Sequence, residues 1–309
     1  MPDRTAVLLL AHGTPDSLDD IPEYLRNITG GRPLPDSAVE EIRHRYSLIG
    51  QSPLTSLTLE QGRLLAKELS LPVYVGMRNW KPYIRDVVGQ MREDGVERLV
   101  AICLAPQNSR TSVGLYRKAL FTVADGMKIE FVEGWADHPL LADAFAERLR
   151  AVLDPFSSEA GVPVPVLFTA HSVPLRTVQA QSADDTPDPY EVEAKRTAAL
   201  VAERVGLAAD YWRFAFQSQG MSGGPWLGPS VEDTLTVLHD EGVRNLVIQP
   251  IGFLCDHVEI LYDIDISFQQ FAANLGMELR RPQSLNTSPL LIAALSDLSR
   301  LAVARLKAQ

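Results

Sequence analysis

The chain has 309 residues, a formal net charge of −10 and 46% apolar residues. This length corresponds to one large or two ordinary domains, which can fold without disulfides or a structural metal. Two cysteines, Cys103 and Cys255, are too few for a disulfide scaffold, a four-thiolate zinc site or a cysteine-ligated iron–sulfur cluster. We therefore expect a globular protein in a reducing compartment.

The acidic balance argues against nucleic acid as a partner, because binding phosphates requires a basic surface. The charge is uneven, since residues 26–118 carry 14 Lys plus Arg against 9 Asp plus Glu, which suits an anionic small molecule. The N-terminus lacks the basic start of a signal peptide, and no apolar run approaches the roughly 20 residues that span a bilayer. We expect a cytoplasmic protein.

Short β-type runs alternate with helical stretches along the whole chain. The pattern predicts a strand at residues 6–11, a capped helix near 18–28, a helix at 57–69 and a strand at 73–76. Strands alternating with helices indicate an α/β fold with a parallel sheet covered on both faces. Such sheets bind ligands at the carboxyl ends of their strands, where the loops begin.

The chain also repeats itself weakly, which predicts two similar Rossmann-like halves, each a parallel sheet flanked by helices. The motif at residues 94–100 recurs 147 positions later, at 241–247. In each half a β-run ends in Ala-His with a proline three positions later, at His12 and at His171. We expect these two histidines at equivalent strand ends, facing a shared central cleft.

We place the two halves at residues 1–150 and 151–309 and expect the C-terminal helix to pack back on the first half. Two α/β halves around a cleft are also the architecture of periplasmic-type binding proteins. A non-enzymatic binding module, for a tetrapyrrole or a metal, is therefore an alternative. That alternative predicts a signal peptide, which the sequence does not show.

Histidines at strand ends and a nearby row of acids suit metal and proton chemistry. Imidazole binds borderline divalent metals and exchanges protons near neutral pH. If the segment after residue 255 is helical, Asp256, Glu259 and Asp263 lie at i, i+3 and i+7 on one face. Facing a cleft, these carboxylates would offer oxygen ligands to a divalent cation.

Two loops rich in glycine and proline surround Trp80 and Trp226, and such loops suit a flat aromatic ligand. The glycine-rich dinucleotide motif is missing after the first strand, and the chain contains no P-loop lysine motif. The Gly-x-Ser-x-Gly nucleophile motif is missing as well. Dinucleotide binding, P-loop chemistry and serine hydrolysis therefore lack their usual signals.

Five segments together resemble the ferrochelatase family, in particular the bacterial coproporphyrin-type members within the class II chelatase superfamily. They are residues 11–15 (AHGTP), 45–54 (RY…IGQSPL), 170–174 (AHSVP), 217–229 (QSQG…PWLGP) and 256–263 (DHVEILYD). Residues 188–190 and 286–289 match too, so the likeness covers nearly the whole chain. It implies a lyase of heme biosynthesis that inserts Fe(II), as a substrate, into a porphyrin and holds no permanently bound cofactor.

The invariant pair of that family corresponds to His171 and Glu259. The resemblance implies that one holds the metal and the other takes the pyrrole protons, and it leaves open which does which. Asp263, with Asp256 beside it, would extend the acidic row as a metal entry path. Relatives often carry a further acid along this row, where this chain has Ser267.

His12 departs from the coproporphyrin-type relatives, which carry tyrosine at this position. It resembles the opening motif of small sirohydrochlorin cobaltochelatases, so a cobaltochelatase is a further alternative. The resemblance leaves two roles for His12: a second metal ligand across the ring from His171, or a turn residue packed against the porphyrin edge.

The resemblance also implies a set of side chains around the porphyrin. Trp226 and Trp80 would stack on the ring. Ser52 and Arg32 or Arg45 would lie near the propionates, with Tyr46 and Arg78 as further ring contacts. The basic excess in the first half agrees with this set.

The porphyrin itself is predicted from residues 27–35, a short polar segment like that of coproporphyrin-type enzymes. Membrane-associated protoporphyrin enzymes carry a longer apolar lip at this place. We therefore expect coproporphyrin III as the substrate, giving coproheme, with protoporphyrin IX as the alternative. The expected partners are the porphyrin and Fe(II), and we expect a monomer that neither inserts into membranes nor binds nucleic acid.

Overall fold

The computed structural model of the chain describes residues 4–180, 186–220 and 224–308 and contains two parallel sheets. The first sheet holds β1 (Thr5–Ala11), β2 (Val73–Met77), β3 (Arg98–Cys103) and β4 (Lys128–Val132), in the order β2-β1-β3-β4. The second holds β5 (Val166–His171), β6 (Trp212–Gln217), β7 (Asn245–Pro250) and β8 (Glu278–Arg280), in the order β6-β5-β7-β8. Because the two orders are the same, the prediction of two similar α/β halves is confirmed.

Helices cover both sheets. They are α1 (Ile21–Ile28), α2 (Asp36–Ile49), α3 (Leu54–Leu69), α4 (Ile84–Glu93), α5 (Val113–Val123), α6 (Pro139–Ala160), α7 (Leu175–Val178), α8 (Tyr190–Val205), α9 (Val231–Asp240), α10 (Val258–Leu261), α11 (Gln269–Asn274) and α12 (Pro289–Ala308). Short 3-10 turns lie at Leu18–Asp20 and Ala209–Tyr211, and a π-helix lies at Asp263–Phe268. The helix predicted near 18–28 is therefore a 3-10 turn followed by α1, whose N-cap residue makes no side-chain capping bond.

The repeat seen in the sequence corresponds to equivalent elements of the two halves. The helix α4 and the strand β3 recur 147 positions later as α9 and β7, with the same lengths. All seven residues of β1 are buried, and alternate residues belong to two different apolar clusters. A continuous apolar run is what a parallel strand needs when helices cover both faces of its sheet.

The last helix of each half packs across to the other half. The helix α6 contacts α8 and β7, while α12 contacts α3, β3 and β4 as well as α6. Ion pairs join α12 to the first half, from Arg305 to Glu130 and from Arg300 to Glu68. The boundary placed at residues 150 and 151 falls inside α6, which runs from one half to the other.

Gly13 allows the chain to turn sharply after β1 and brings the loop after β2 against it. Its φ is +80°, and a Cβ at this position would lie 2.9 Å from Cβ of Trp80 and 3.1 Å from Cβ of Met77. A residue with a side chain meets both backbone strain and a steric clash here.

Replacing Gly13 with alanine is expected to lower the free energy of unfolding by about 2–4 kcal/mol, because strain and overpacking add. Urea unfolding followed by circular dichroism measures the change. Gly89→Ala, at an open position within α4, is the matched control and should raise stability by about 0.5–1 kcal/mol. Equal effects of the two substitutions would contradict the strain at residue 13.

Candidate active site

A cavity of about 380 Å³ lies where the carboxyl ends of the two sheets face each other. It is lined by residues that follow β1 (His12, Thr14), β3 (Leu104, Gln107), β5 (His171, Ser172) and β7 (Phe253, Glu259). In the first sheet β2 lies on one side of β1 and β3 on the other, so the order in which strands are added reverses between β1 and β3. The second sheet repeats this reversal between β5 and β7. The crevice outside such a switch point is the usual ligand site of open parallel sheets.

A carboxylate between two imidazoles forms the centre of one cavity wall. Nε2 of His171 lies 3.2 Å from Oε1 of Glu259, and Nε2 of His257 lies 3.3 Å from Oε2. Nδ1 of each histidine contacts a backbone carbonyl, that of Ser172 and that of Cys255. Since carbonyls and carboxylates only accept hydrogen bonds, a histidine donates in both of these contacts only when both of its ring nitrogens carry a proton.

Glu259 stays ionised in this arrangement. Burial raises its pKa, but the charges and hydrogen bonds of His171 and His257 lower the pKa well below its usual value. Burial lowers the pKa of His171, and the adjacent Glu259 carboxylate more than compensates, so that this pKa is raised. His171 and Glu259 are 33% and 32% exposed and both border the cavity. The pair is therefore a proton-exchanging group open to a bound molecule.

Tyr190 fixes the backbone of this pair from behind. Its hydroxyl donates to the carbonyl oxygen of His171 at 2.8 Å. Asp188 starts the helix that carries Tyr190, because its Oδ1 accepts the Tyr190 N–H at 3.0 Å. On the other side, Nε2 of Gln217 donates to the backbone oxygen of Glu259 at 2.9 Å. The backbone of the histidine is thus held from α8, and the backbone of the carboxylate is held from the end of β6.

His12 enters the same cavity from the first half, at the end of β1. Burial and the nearby Arg78 guanidinium lower the pKa of His12 to about 3, so its imidazole is neutral. The amide nitrogen of Asn79 lies 3.2 Å from Nδ1 and 3.1 Å from Nε2 of the ring. Tyr24 packs edge-on against it, with ring centroids 6.2 Å apart. A neutral imidazole offers one lone pair, which is what a metal ligand or a proton acceptor requires.

The predicted arginines are distributed unevenly. Arg78 lines the cavity and sits over the ring of Tyr116, with 5.6 Å between its guanidinium carbon and the ring centroid. Ser109, Thr111 and Ser112 line the same region. Arg78 and these hydroxyl groups form a polar wall that suits a carboxylate.

The structure does not bring Arg32 or Arg45 to the cavity wall. Arg32 is exposed, and its Nε donates to the carbonyl oxygen of Thr29 at 3.1 Å. Arg45 instead forms ion pairs with Glu41 at 2.9 Å and with Asp263 at 3.4 Å. Its guanidinium is committed to carboxylates of the protein.

Tyr46 and Ser52 are buried beside the cavity rather than on its wall. The Ser52 hydroxyl accepts the N–H of Leu54 at 3.5 Å, at the start of α3. Tyr46 belongs to a small apolar cluster with Tyr24 and Trp80. Neither Ser52, which was expected near the propionates, nor Tyr46, which was expected to contact the porphyrin, lines the cavity.

The two predicted tryptophans have different positions. Trp226 lines the cavity, and a Cβ on Gly220 would lie 2.8 Å from its ring, so glycine leaves room for the indole. Trp80 is 1% exposed, and its Nε1 donates to Oδ2 of Asp16 at 2.9 Å. Stacking of Trp80 on the ring is therefore not supported by its placement, because Gly13 allows the indole to pack beneath the turn.

The acidic row predicted along one helix face does not form. The α-helix starts only at Val258, after Asp256, and Asp263 is turned to Arg45 and Ser218. Asp256 accepts from Ser284 at 2.7 Å and pairs with Arg281 at 3.3 Å, in a network apart from the cavity. Of these three carboxylates, Glu259 therefore lines the cavity, while Asp256 and Asp263 do not.

His257 belongs to the motif at residues 256–263, but the sequence predicts no role for it. Its position two residues before Glu259 was a signal, although only the fold shows that it shares the carboxylate with His171. In the part of the chain that the structure describes, no three His, Cys, Asp or Glu side chains are placed to hold a metal ion together. The helices of the same residues include none that is long and apolar enough to cross a bilayer.

Comparison with solved structures identifies the fold as that of chelatases. The structure of SirB from Bacillus subtilis with Fe3+ superposes with a TM-score of 0.60 at 14% identity, covering 99% of this chain and 98% of that one. The sirohydrochlorin chelatase SirB in complex with cobalt, from Bacillus subtilis subspecies spizizenii, gives 0.59 at 11% identity, covering 99% and 97%. At these identities the likeness defines the fold alone.

Sequence comparison then defines the family. The ferrochelatase family model matches residues 4–302. A ferrochelatase of Acidobacterium capsulatum is 67% identical, covering 100% of this chain and 97% of that protein. A coproporphyrin III ferrochelatase of Geobacillus thermodenitrificans is 35% identical, covering 96% of each. The chain belongs to the ferrochelatase family and is an enzyme of heme biosynthesis that inserts iron into a porphyrin.

The buried carboxyl of Asp263 makes the stability of the fold depend on pH. Burial raises its pKa to about 6, although the Ser218 hydroxyl and Arg45 favour the ionised form. A carboxyl whose pKa is higher in the folded state stabilises the fold below its unfolded pKa of about 4, and this stabilisation is lost as pH rises through 6.

We expect the stability of the natural chain relative to Asp263→Asn to fall by on the order of 2–3 kcal/mol between pH 4 and pH 7. Urea unfolding of both proteins across this range measures the difference. Asp210→Asn, at an exposed position, is the control and should show no such trend. A difference that does not change with pH would show that Asp263 does not titrate there.

Proposed function

We propose that the chain inserts Fe(II) into coproporphyrin III to give coproheme, at the wall formed by His171 and Glu259. The observation that carries the proposal is the 3.2 Å contact between this imidazole and this carboxylate in a cavity shared by the two halves. Metallation removes two protons from pyrrole nitrogens while it delivers a divalent cation. A base can accept the protons and a carboxylate beside it can attract the cation, so the pair meets both requirements.

The two residues have complementary parts in this reaction. Glu259 is ionised, so its oxygens attract Fe(II) and stabilise the charged ring that His171 becomes when it takes a proton. His171 accepts a pyrrole proton when its ring is neutral and releases it to solvent, and it takes the second pyrrole proton in the same way. His257 contacts the second carboxylate oxygen and helps to hold Glu259 in place. A nitrogen–oxygen donor set holds iron weakly enough for transfer to the four nitrogens of the macrocycle.

A ring bound between the halves would meet His12 from one side and the His171–Glu259 pair from the other. His12 comes from the end of β1, whereas His171 comes from the end of β5. Trp226, on the cavity wall, provides an aromatic face for the macrocycle. In this position His12 can coordinate the inserted iron, because its ring is neutral. The binding energy of such contacts offsets the strain of bending the macrocycle.

The four-propionate substrate is supported by the polar groups around the cavity. Arg78 and the hydroxyl groups of Ser109, Thr111 and Ser112 suit one carboxylate. The Geobacillus relative is named for coproporphyrin III. Protoporphyrin IX, with two propionates, is the competing substrate.

His171→Ala and Glu259→Gln are each expected to reduce kcat at least 100-fold, because each removes the proton-exchanging pair. The assay follows loss of free-porphyrin absorption with Fe(II) under anaerobic conditions. His239→Ala and Glu232→Gln, on the outward side of α9, make the same chemical changes and should leave kcat unchanged. Near-normal turnover in either site variant, with the fold intact, would refute this site.

Substrate choice is tested by offering coproporphyrin III, protoporphyrin IX and sirohydrochlorin in parallel. We expect the highest kcat/KM with coproporphyrin III and a loss of about tenfold in Arg78→Ala, since one charged hydrogen bond is removed. Arg26→Ala, at an exposed position on α1, is the matched control and should change kcat/KM less than twofold. Faster metallation of protoporphyrin IX would overturn the assignment, and activity on sirohydrochlorin alone would make this a cobaltochelatase-type enzyme.

A further inference from the structure

The hydroxyl groups of the polar wall lie on one loop, residues 104–112, which follows β3 in the first half. The backbone of this loop is held by carboxylates of the second half. The N–H of Arg110 donates to Oδ2 of Asp188, and the N–H of Asn108 donates to Oε2 of Glu193, each at 2.6 Å. Hydrogen bonds to a carboxylate are shorter and stronger than those between neutral groups. The position of the wall in the cavity therefore depends on side chains of the opposite half.

Asp188 is bonded through both of its carboxylate oxygens. While Oδ2 accepts the Arg110 N–H, Oδ1 accepts the N–H of Tyr190 at 3.0 Å, and the residue is only 6% exposed. The Tyr190 hydroxyl in turn donates to the carbonyl oxygen of His171 at 2.8 Å. A single buried carboxylate thus connects the backbone of His171 to the loop that carries the wall.

This connection bears on the reaction because the macrocycle has a fixed size. A porphyrin whose carboxylate is bound at the wall presents its pyrrole nitrogens to His171 only when the distance from the wall to the imidazole suits the ring. Proton transfer needs the base at hydrogen-bond distance, so a small displacement of the base lowers the rate strongly. Since the wall and His171 belong to different halves, a residue bonded towards both can set this distance.

We propose that Asp188 is a positioning residue that fixes the distance between the polar wall and His171, so that a porphyrin anchored at the wall meets the base. Glu193 supports the same loop through one contact. The proposal rests on the function proposed above, in which the wall binds a carboxylate of the substrate and His171 takes the pyrrole protons.

The two carboxylates should respond differently when their charge is removed. Asp188→Asn keeps the size of the side chain but replaces one accepting oxygen by an NH2 group, which cannot accept an N–H. One of its two contacts is then lost, and a buried N–H is left without a partner. Glu193→Gln removes the same charge but keeps the one acceptor that the Asn108 N–H needs, so it is the matched control.

Two measurements on purified protein test the connection. Titration of coproporphyrin III without metal, followed by porphyrin fluorescence, gives Kd, and anaerobic turnover with Fe(II) at saturating porphyrin gives kcat. We expect Asp188→Asn to lower kcat by about tenfold or more, because the wall and the base no longer keep one distance. Glu193→Gln should leave Kd and kcat within about twofold of the natural chain.

A double-mutant cycle with Tyr190 separates positioning from a general effect on the fold. Tyr190→Phe removes the hydroxyl that reaches His171 and should lower kcat while Kd changes less than about twofold. Because both residues belong to one connection, Asp188→Asn should add little to the loss of kcat in a Tyr190→Phe background. Independent losses that add would overturn the proposal that Asp188 acts through Tyr190.

Other outcomes overturn the inference without touching the function. Unchanged kcat in Asp188→Asn would do so, and so would equal losses in Asp188→Asn and Glu193→Gln, since charge alone would then be responsible. If circular dichroism shows that Asp188→Asn does not fold, Tyr190→Phe decides, and unchanged kcat in this variant would refute the connection to His171.

Failure of the proposed function gives a different result. A natural chain that does not metallate coproporphyrin III would refute that function, whatever the variants do. The same variants are then compared on whichever of the three porphyrins the natural chain metallates, and the expected difference between Asp188→Asn and Glu193→Gln stays the same.

Discussion

The site depends on keeping one carboxylate ionised in a recessed cavity. Glu259 remains charged because two imidazoles contact its two oxygens, and burial alone would raise its pKa. These contacts require His171, at the end of β5, to face the segment that follows β7. The two strands are direct neighbours in the sheet, and the segment after β7 brings Glu259, on α10, back against the end of β5. The distance between imidazole and carboxylate therefore depends on the strand pairing, on this segment and on the bond from Gln217 to the Glu259 backbone.

The second constraint is the relative position of the two halves. The helices α6 and α12 each pack on the opposite half. Hydrogen bonds of buried side chains add to these contacts between the halves. Gln61 donates to the carbonyl of Asn286, and Gln107 donates to Thr197 and to the carbonyl of Ile251. Such bonds between the halves are costly to break when buried, because they leave unpaired polar groups. They hold the two halves, and with them His12 and the His171–Glu259 pair, in one relative position.

The remaining acids near the site are neutralised by arginines. Arg281 contacts both oxygens of Asp265, at 2.6 and 2.7 Å, and also reaches Asp256, while Arg45 reaches Asp263. This leaves Glu259 as the carboxylate of the segment that faces the cavity, with histidines rather than arginines around it. A histidine partner can give up its proton near neutral pH, whereas an arginine cannot.

The sequence by itself determined the α/β class, the duplication and the two histidines at strand ends, because buried strands and repeated motifs are local patterns. It also indicated Arg78 and Trp226, which line the cavity. Only the tertiary structure decided that α6 also packs on the opposite half, that Trp80 packs under the turn at Gly13, and that His257 shares a carboxylate with His171. The acidic row failed as a prediction because Asp256 precedes the helix and is paired with Arg281, and because Asp263 is paired with Arg45. Pairings such as Asn79 with His12, 67 positions apart, depend on which strands become neighbours, and no local pattern encodes that.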